Sequence, residues 1–198
     1  MYLVLLAAGR GARLPKKYRN APKCMARINN KTILSYNLNF YNKFKNKIIV
    51  TGYKSQKLRN FIKLNNFNSI KNKDYAKTNM VHSLFKINKI EEKEIVVCYS
   101  DIIFDPLLYF NLKKTKNRNV ILLKKNWLKV WRGRMSQKEI LKDAEQVIVK
   151  KNMLISIGDK ITNKLPDYQY MGILKFKTAD FFKLKIFYKK INDHKIDL

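Results

Sequence analysis

Hydrophobic positions along the first two-thirds of the chain fall into two alternating kinds of segment. Continuous apolar runs predict buried strands at residues 2–6, 47–51, 94–99 and 120–124. Apolar residues every three or four positions predict helices at residues 32–44, 56–64, 79–90 and 106–113. This alternation predicts an α/β fold: a Rossmann-like three-layer sandwich with a mostly parallel, mixed sheet and helices on both faces.

The last third of the chain is less regular. Strand patterns occur at residues 144–149, 154–157 and 170–176, and a terminal helix is predicted at 179–190. We expect these three strands to form a small antiparallel appendage. No internal repeat or linker-like stretch interrupts the chain, so residues 1–198 are interpreted as a single domain.

The charge of the chain suggests a nucleic-acid binder, but its distribution does not. The formal net charge is +29, and lysines are interleaved with Asn and Ile, as in Lys71-Asn72-Lys73. A selected nucleic-acid surface concentrates its basic residues in one patch, whereas this spread favours an ordinary solvated surface. A basic nucleic-acid-binding module remains the alternative from another class. On either interpretation, the charge attracts anionic substrates.

Other bulk features indicate a folded, reduced protein. Its 46% hydrophobic content is typical of a globular domain, and no run of eighteen apolar residues predicts a membrane span. Cys24 and Cys98 have no metal-ligand spacing, so we expect a cytoplasmic protein.

The first chemical motif follows the first predicted strand. It comprises a glycine turn and a downstream Pro-Lys pair: Leu6-Ala7-Ala8-Gly9-Arg10-Gly11-Ala12-Arg13-Leu14 and Pro22-Lys23. Glycines at such a turn let main-chain N–H groups approach phosphate oxygens. Arg13 is predicted to bind the β- and γ-phosphates, and Lys23 to neutralise charge that develops on the α-phosphate.

A second motif places Asp101 after the strand at 94–99, within Tyr99-Ser100-Asp101. Ligands of open α/β sheets bind outside the carboxyl ends of the strands, so this carboxylate is a candidate Mg²⁺ ligand. A third segment, residues 74–84, contains Thr78 and Asn79 as possible helix caps, followed by Ser83. A fourth contains Trp127 and Trp131, which share a helix face. Such tryptophans usually fill a core, although an aromatic wall can also hold a cation.

Together these motifs resemble the nucleotidyltransferase superfamily, and in particular its cytidylyltransferase branch for phosphocholine, aminoethylphosphonate and the capsular phosphoramidate pathway. The resemblance implies transfer of CMP from CTP to a small phosphorylated acceptor, with Mg²⁺ on Asp101 and a role in capsule or surface polysaccharide synthesis. It places Leu6 to Gly11, Thr78, Asn79 and Ser83 at the nucleotide. It also implies a set of acceptor-site residues, namely Trp127, Trp131, Asp143, Glu145, Gln169 and Gly172.

Two departures from the family pattern leave alternatives open. Ser100-Asp101 stands where Gly-Asp is usual, and the chain stops at Leu198, where members of this branch continue into a helix and a strand with a second acidic ligand. We therefore expect either a fragment or a differently completed metal shell. The alternatives are a relative that binds CTP without turnover and a sugar-1-phosphate nucleotidyltransferase that uses UTP, dTTP or GTP.

Overall fold

A computed structural model describes residues 1–12, 14–16, 19–116, 118–161 and 164–191. The strands in these ranges are β1 (Tyr2–Ala7), β2 (Arg27–Ile28), β3 (Lys31–Thr32), β4 (Lys47–Thr51), β5 (Asn68–Lys71), β6 (Glu94–Tyr99), β7 (Val120–Lys124), β8 (Glu145–Lys150), β9 (Met153–Lys160) and β10 (Gln169–Lys177). The α-helices are α1 (Ile33–Tyr36), α2 (Leu38–Tyr41), α3 (Arg59–Leu64), α4 (Met80–Leu84), α5 (Leu108–Lys114), α6 (Trp127–Arg132), α7 (Gln137–Asp143) and α8 (Thr178–Ile191).

The main sheet has the strand order β5-β4-β1-β6-β10-β7. β1 pairs in parallel with both β4 and β6, and β4 pairs in parallel with β5. Leu6, near the end of β1, is aligned with Val50 on one side and Tyr99 on the other. The segments that follow these strands therefore leave the sheet at the same edge, and this edge carries the candidate site.

The core of this sheet comes from the continuous apolar runs that predicted the strands. Central parallel strands are covered on both faces, which is why their sequences do not alternate with polar residues. Full burial of one such Leu, Ile or Val side chain contributes about 1.5–3 kcal/mol before the entropy of ordering is counted. The buried cluster comprises Val4, Leu6, Ile48, Val50, Leu84, Ile87, Ile95, Val97 and Phe181.

Tertiary contacts change two of the predicted helices. The predicted helix at residues 32–44 is two short helices separated at Asn37, whose side chain donates to the Ile102 carbonyl (2.7 Å) and accepts from the Phe104 N–H (3.3 Å). The predicted helix at 79–90 ends at Leu84, and the Ile87 N–H that follows bonds to the Leu84 carbonyl in a tighter turn.

The strand predictions were wrong in two respects. The short strands β2, β3 and β5 were missed, and the predicted strand at 170–176 is β10 of the main sheet instead of part of an appendage. Pairing with a distant strand leaves no local signal in the sequence, which explains the second error. The antiparallel appendage itself is present as the β8–β9 hairpin.

Not every lysine belongs to a solvated surface. Lys175 is fully buried, and its ammonium donates to the Leu112 and Thr115 carbonyls at the end of α5 and pairs with Glu94 at 2.8 Å. Lys185 of α8 is also buried, and it donates to the Ile87 carbonyl. These ammonium groups satisfy carbonyls that a helix end or a turn would otherwise leave unpaired.

Residues 1–120 with 174 onward form one compact unit, and residues 121–173 form a second. The second unit contains α6, α7 and the β8–β9 hairpin, and its buried centre consists of Trp127, Ile140 and Ala144. Ser136 and Glu139 begin α7 with reciprocal side-chain to main-chain bonds. Within the described ranges, no helix has both the length and the apolar character needed to cross a bilayer.

Candidate functional site

The turn after β1 is shaped by the absence of a side chain at Gly11. Its φ of +63° lies in the left-handed region, and an added Cβ would stand 3.2 Å from Cβ of Lys23 and 3.3 Å from Leu14. The aliphatic stem of Lys23 therefore packs against the turn itself. This contact explains in physical terms why the glycine turn and the Pro-Lys pair belong to one motif.

A second glycine, Gly52, supports the same turn and was not predicted as a site residue. A Cβ on Gly52 would lie 2.7 Å from the Ala8 carbonyl oxygen and 2.7 Å from Cβ of Tyr75. The next residue, Tyr53, donates its N–H to that Ala8 carbonyl at 3.1 Å. Gly52 thus lets the end of β4 lie directly against the end of β1. Its position just after a buried strand was the available sequence signal.

Two groups of opposite charge meet beside the turn. The Lys23 ammonium contacts the Asp101 carboxylate, with the two side chains 39% and 25% exposed. Beneath them, burial raises the pKa of the Cys24 thiol to about 12, so this thiol is neutral near pH 7. The site therefore offers a cation and a carboxylate that ligands can reach, but no activated thiol nucleophile.

Asp101 has the donor chemistry of a magnesium ligand. Mg²⁺ in nucleotide sites is bound by one or two carboxylates while substrate phosphates and water complete its shell. The part of the chain that the structure describes contains no cluster of three or more His, Cys, Asp or Glu residues suited to a metal. A carboxylate beside the glycine turn has the chemistry to bind an ion that arrives with a nucleotide, and its role as a Mg²⁺ ligand stays a prediction.

The segment from Asn72 to Ser83 is held by a buried amide. Asn72 is fully buried, and its side-chain NH₂ donates to Thr78 Oγ1 at 3.0 Å and to Ser83 Oγ at 2.9 Å. Asn79 caps α4 by accepting the His82 N–H at 3.0 Å, as its sequence context predicts. The expectation that Lys71-Asn72-Lys73 is plain solvated surface is therefore wrong for its central residue.

These segments enclose one cavity of about 330 Å³, within the range of small-ligand sites. Two of the predicted phosphate-site residues are not among the lining residues. Arg10 is exposed and outside the lining, and Arg13 lies outside the described residues. The predicted residues that the cavity brings together are Leu6, Ala7, Ala8, Gly9, Gly11, Lys23, Thr78, Asn79, Ser83 and Asp101. The unpredicted lining residues are Cys24, Tyr75, Met80, Tyr99 and Ser100.

The predicted acceptor residues all lie in the second unit. Trp127 is 1% exposed and donates its indole N–H to the Pro166 carbonyl at 2.9 Å, which agrees with core filling. Trp131 is half-buried, and the Arg134 guanidinium lies over its ring at 5.6 Å from the centroid. This ring therefore already demonstrates cation–π contact within the chain.

The remaining acceptor candidates differ in exposure. Gln169 is buried, and its amide donates to the Glu145 carbonyl and accepts from the Glu145 N–H. Gly172 is buried with a φ of +89°, a conformation that favours glycine. The Asp143 and Glu145 residues are exposed. The acceptor role of this set stays a prediction.

Comparison with known proteins identifies the family of this chain. The CTP:phosphoglutamine cytidylyltransferase of Campylobacter jejuni is 31% identical over 203 residues, which cover 97% of this chain and 79% of that protein. No protein-family model matches. The chain belongs to the nucleotidyltransferase family, in the cytidylyltransferase branch that contains this relative.

Solved structures give the same fold at greater distance in sequence. The CTP:phosphocholine cytidylyltransferase of Streptococcus pneumoniae has a TM-score of 0.71 at 19% identity and covers 96% of this chain and 76% of that chain. The inositol-1-phosphate CTP transferase of T. maritima has a TM-score of 0.72 at 19% identity, with 98% and 76% covered. At these identities the likeness shows the fold alone, and it confirms the predicted fold class.

Proposed function

We propose that this chain transfers CMP from CTP to a small phosphorylated acceptor and releases pyrophosphate. The observation that carries the proposal is the single cavity in which the glycine turn, the Lys23–Asp101 pair and the Thr78–Ser83 segment meet. The relative from Campylobacter jejuni is named for CTP and phosphoglutamine, so phosphoglutamine is the first acceptor to test.

The phosphates would be bound by the turn after β1. Its glycines allow main-chain N–H groups to approach anionic oxygens, and the surrounding basic residues raise the local concentration of nucleotide. Lys23 lies against Gly11 and so stands beside this turn. An ammonium group has three donors, so Lys23 can contact a phosphate oxygen while it still contacts Asp101.

The transfer itself needs no protein nucleophile. An acceptor phosphate oxygen, already ionised near pH 7, attacks the α-phosphorus of CTP, and the bond from that phosphorus to the bridging β-phosphate oxygen breaks. Both electrons of the broken bond leave with pyrophosphate. Lys23 offsets the negative charge that increases around the α-phosphate, and the rigid turn holds the triphosphate in line.

Magnesium is part of this proposal through the chemistry of Asp101. Asp101 is the residue that would hold the ion. When bound, Mg²⁺ neutralises phosphate charge and orients the reacting oxygens.

The experiment is pyrophosphate release from CTP and phosphoglutamine with Mg²⁺, compared with a metal-free reaction containing a chelator. Release that requires CTP, acceptor and Mg²⁺ together supports the proposal, and CTP turnover that is unaffected by the chelator contradicts its metal part.

A further inference from the structure

Hydrogen-bond polarity at two hydroxyl groups of the cavity indicates how the base is selected. We infer that Thr78 Oγ1 and Ser83 Oγ act only as hydrogen-bond acceptors toward the ligand and thereby select the 4-amino group of cytosine over the 4-oxygen of uracil. This inference rests on the proposed function, and it concerns the same cavity. Neither of these hydroxyls is a charged or reacting group, so their contribution is to specificity.

The orientation of the Asn72 amide is the first step. The Asp74 main-chain N–H donates to Asn72 Oδ1 at 3.0 Å. Because a main-chain N–H can only donate, the oxygen of the amide must face Asp74 and the NH₂ must face the other way. Both amide protons then point at the hydroxyls, to Thr78 Oγ1 at 3.0 Å and Ser83 Oγ at 2.9 Å.

The hydroxyl protons are the second step. Each hydroxyl already accepts a bond from Asn72, so its own proton must be directed elsewhere. Thr78 Oγ1 donates to the Asp74 carbonyl at 2.9 Å, and Ser83 Oγ donates to the Asn79 carbonyl at 3.3 Å. A hydroxyl oxygen has two lone pairs, and Asn72 uses one. While these bonds are kept, each hydroxyl offers a ligand one lone pair and no proton. A proton turned toward a ligand would break the bond to the Asp74 or Asn79 carbonyl, of which the longer Ser83 bond is the weaker.

The location of the hydroxyls is the third step. Thr78 and Ser83 line the same cavity as the glycine turn and Lys23, but they come from the segment that leads into α4. When the turn binds the phosphates, the nucleoside is left with the rest of the lining, to which the α4 segment contributes Thr78 and Ser83. An amino group there donates to the remaining lone pairs, whereas a carbonyl oxygen is repelled and leaves them unpaired.

Asn72 is, on this argument, a positioning residue. It contacts no ligand, but it fixes the direction in which both hydroxyls point. Its full burial means that water does not replace these bonds in the folded chain. Replacement by leucine keeps the approximate size of the side chain and removes both donors, so the hydroxyls become free to turn a proton toward a uracil oxygen.

The experiment combines a ligand change with a protein change. The unmodified protein is assayed for kcat/KM with CTP, UTP and the triphosphate of the pyrimidin-2-one nucleoside, which lacks any 4-substituent. We expect kcat/KM for CTP to be about tenfold higher than for the pyrimidin-2-one nucleotide and about a hundredfold higher than for UTP. In Ser83→Ala, kcat/KM for CTP should fall toward the pyrimidin-2-one value while the latter changes little, because one of the two bonds to the 4-amino group is gone and only the bond to Thr78 Oγ1 remains.

Asn72→Leu provides the second protein change, with Asn37→Leu as its matched control. Asn37 is also a buried asparagine with three hydrogen bonds, but its partners are Tyr41, Ile102 and Phe104. We expect the CTP-to-UTP ratio to fall at least tenfold in Asn72→Leu and to be unchanged in Asn37→Leu. The thermal unfolding of both variants is measured as well, so that a loss of stability is distinguished from a change in the CTP-to-UTP ratio.

The outcomes separate the two claims. Turnover of CTP with an equal rate for UTP or for the pyrimidin-2-one nucleotide would overturn the inference and leave nucleotidyl transfer standing. An unchanged CTP preference in Ser83→Ala would also overturn it, without depending on how Asn72→Leu folds. A protein that neither binds nor turns over any of the three nucleotides would contradict the proposed function itself.

Discussion

Replacing Lys23 with methionine should separate catalysis from folding. Methionine keeps most of the aliphatic stem that packs against Gly11 and removes only the ammonium group. That group contacts Asp101 in a pair whose side chains are 39% and 25% exposed, and ion pairs with such access to solvent contribute about 0–1 kcal/mol to folding. One kcal/mol shifts the Tm of a protein of this size by roughly 2–4 °C, so the Tm of Lys23→Met should lie within a few degrees of that of the unmodified protein.

The effect on turnover should be much larger. If Lys23 stabilises charge that develops only during transfer, its loss costs about 10²- to 10³-fold in kcat, or ~3–4 kcal/mol. Binding of CTP, measured by calorimetry without acceptor, should weaken by less than about tenfold because the turn and the base contacts remain. Pyrophosphate release under saturating CTP measures the first quantity, and the comparison of the two numbers is the test.

A matched control comes from another ion pair of the same unit. Lys86 pairs with Asp74 at 3.5 Å, with side-chain exposures of 33% and 59%, and Lys86 does not line the cavity. Lys86→Met should lose a similarly small amount of stability and keep its turnover. If Lys23→Met loses CTP affinity while kcat at saturating CTP is unchanged, the ammonium group acts in substrate binding alone and the reasoning about transfer is refuted.

Three further predictions follow from the geometry. Gly52→Ala should lower the free energy of unfolding by about 1–3 kcal/mol, because its Cβ would lie 2.7 Å from the Ala8 carbonyl oxygen. Denaturant titration measures this loss, and unchanged stability together with unchanged turnover would contradict the contact. Asp101→Asn should raise the Mg²⁺ concentration needed for half-maximal turnover at least tenfold, and an unaltered Mg²⁺ titration would assign the ion to other residues. Burial raises the pKa of both Cys24 and Cys98, so neither thiol should react with a thiol reagent at pH 8 until the chain unfolds. Rapid modification of the folded protein would count against this burial. Since only the thiols of the unfolded chain ionise near pH 8.5, the free energy of unfolding should fall as the pH rises past about 9.

The parts of the fold that the sequence predicted are those with purely local signals. β4, β6 and β7 begin and end at the predicted residues, because each is a short apolar run bounded by polar or turn residues. β5 was missed because three of the four residues of Asn68–Lys71 are polar and the strand lies at the edge of the sheet. The break at Asn37 depends on bonds to the distant Ile102 and Phe104, which no local pattern contains.

The candidate site divides in the same way. Gly11, Lys23 and Asp101 could be predicted to lie together because strand ends of a parallel sheet share one edge and the motif spacing is specific. Asn72 could not, because a buried asparagine between two lysines has the same local sequence as an exposed one. The position of Gly52 just after a buried strand was a signal in the sequence, but its contact with Ala8 is seen only in the structure.

The central claim is transfer of CMP from CTP to a phosphorylated acceptor. The most direct measurement is pyrophosphate release with Mg²⁺, each of the four ribonucleoside triphosphates, and phosphoglutamine among a panel of phosphorylated acceptors, with the nucleotide product identified by mass. We predict release with CTP and a phosphorylated acceptor, in equal amount to a CMP–acceptor product. No release with any pair, and no protection of the protein by CTP against thermal unfolding, would contradict the assignment.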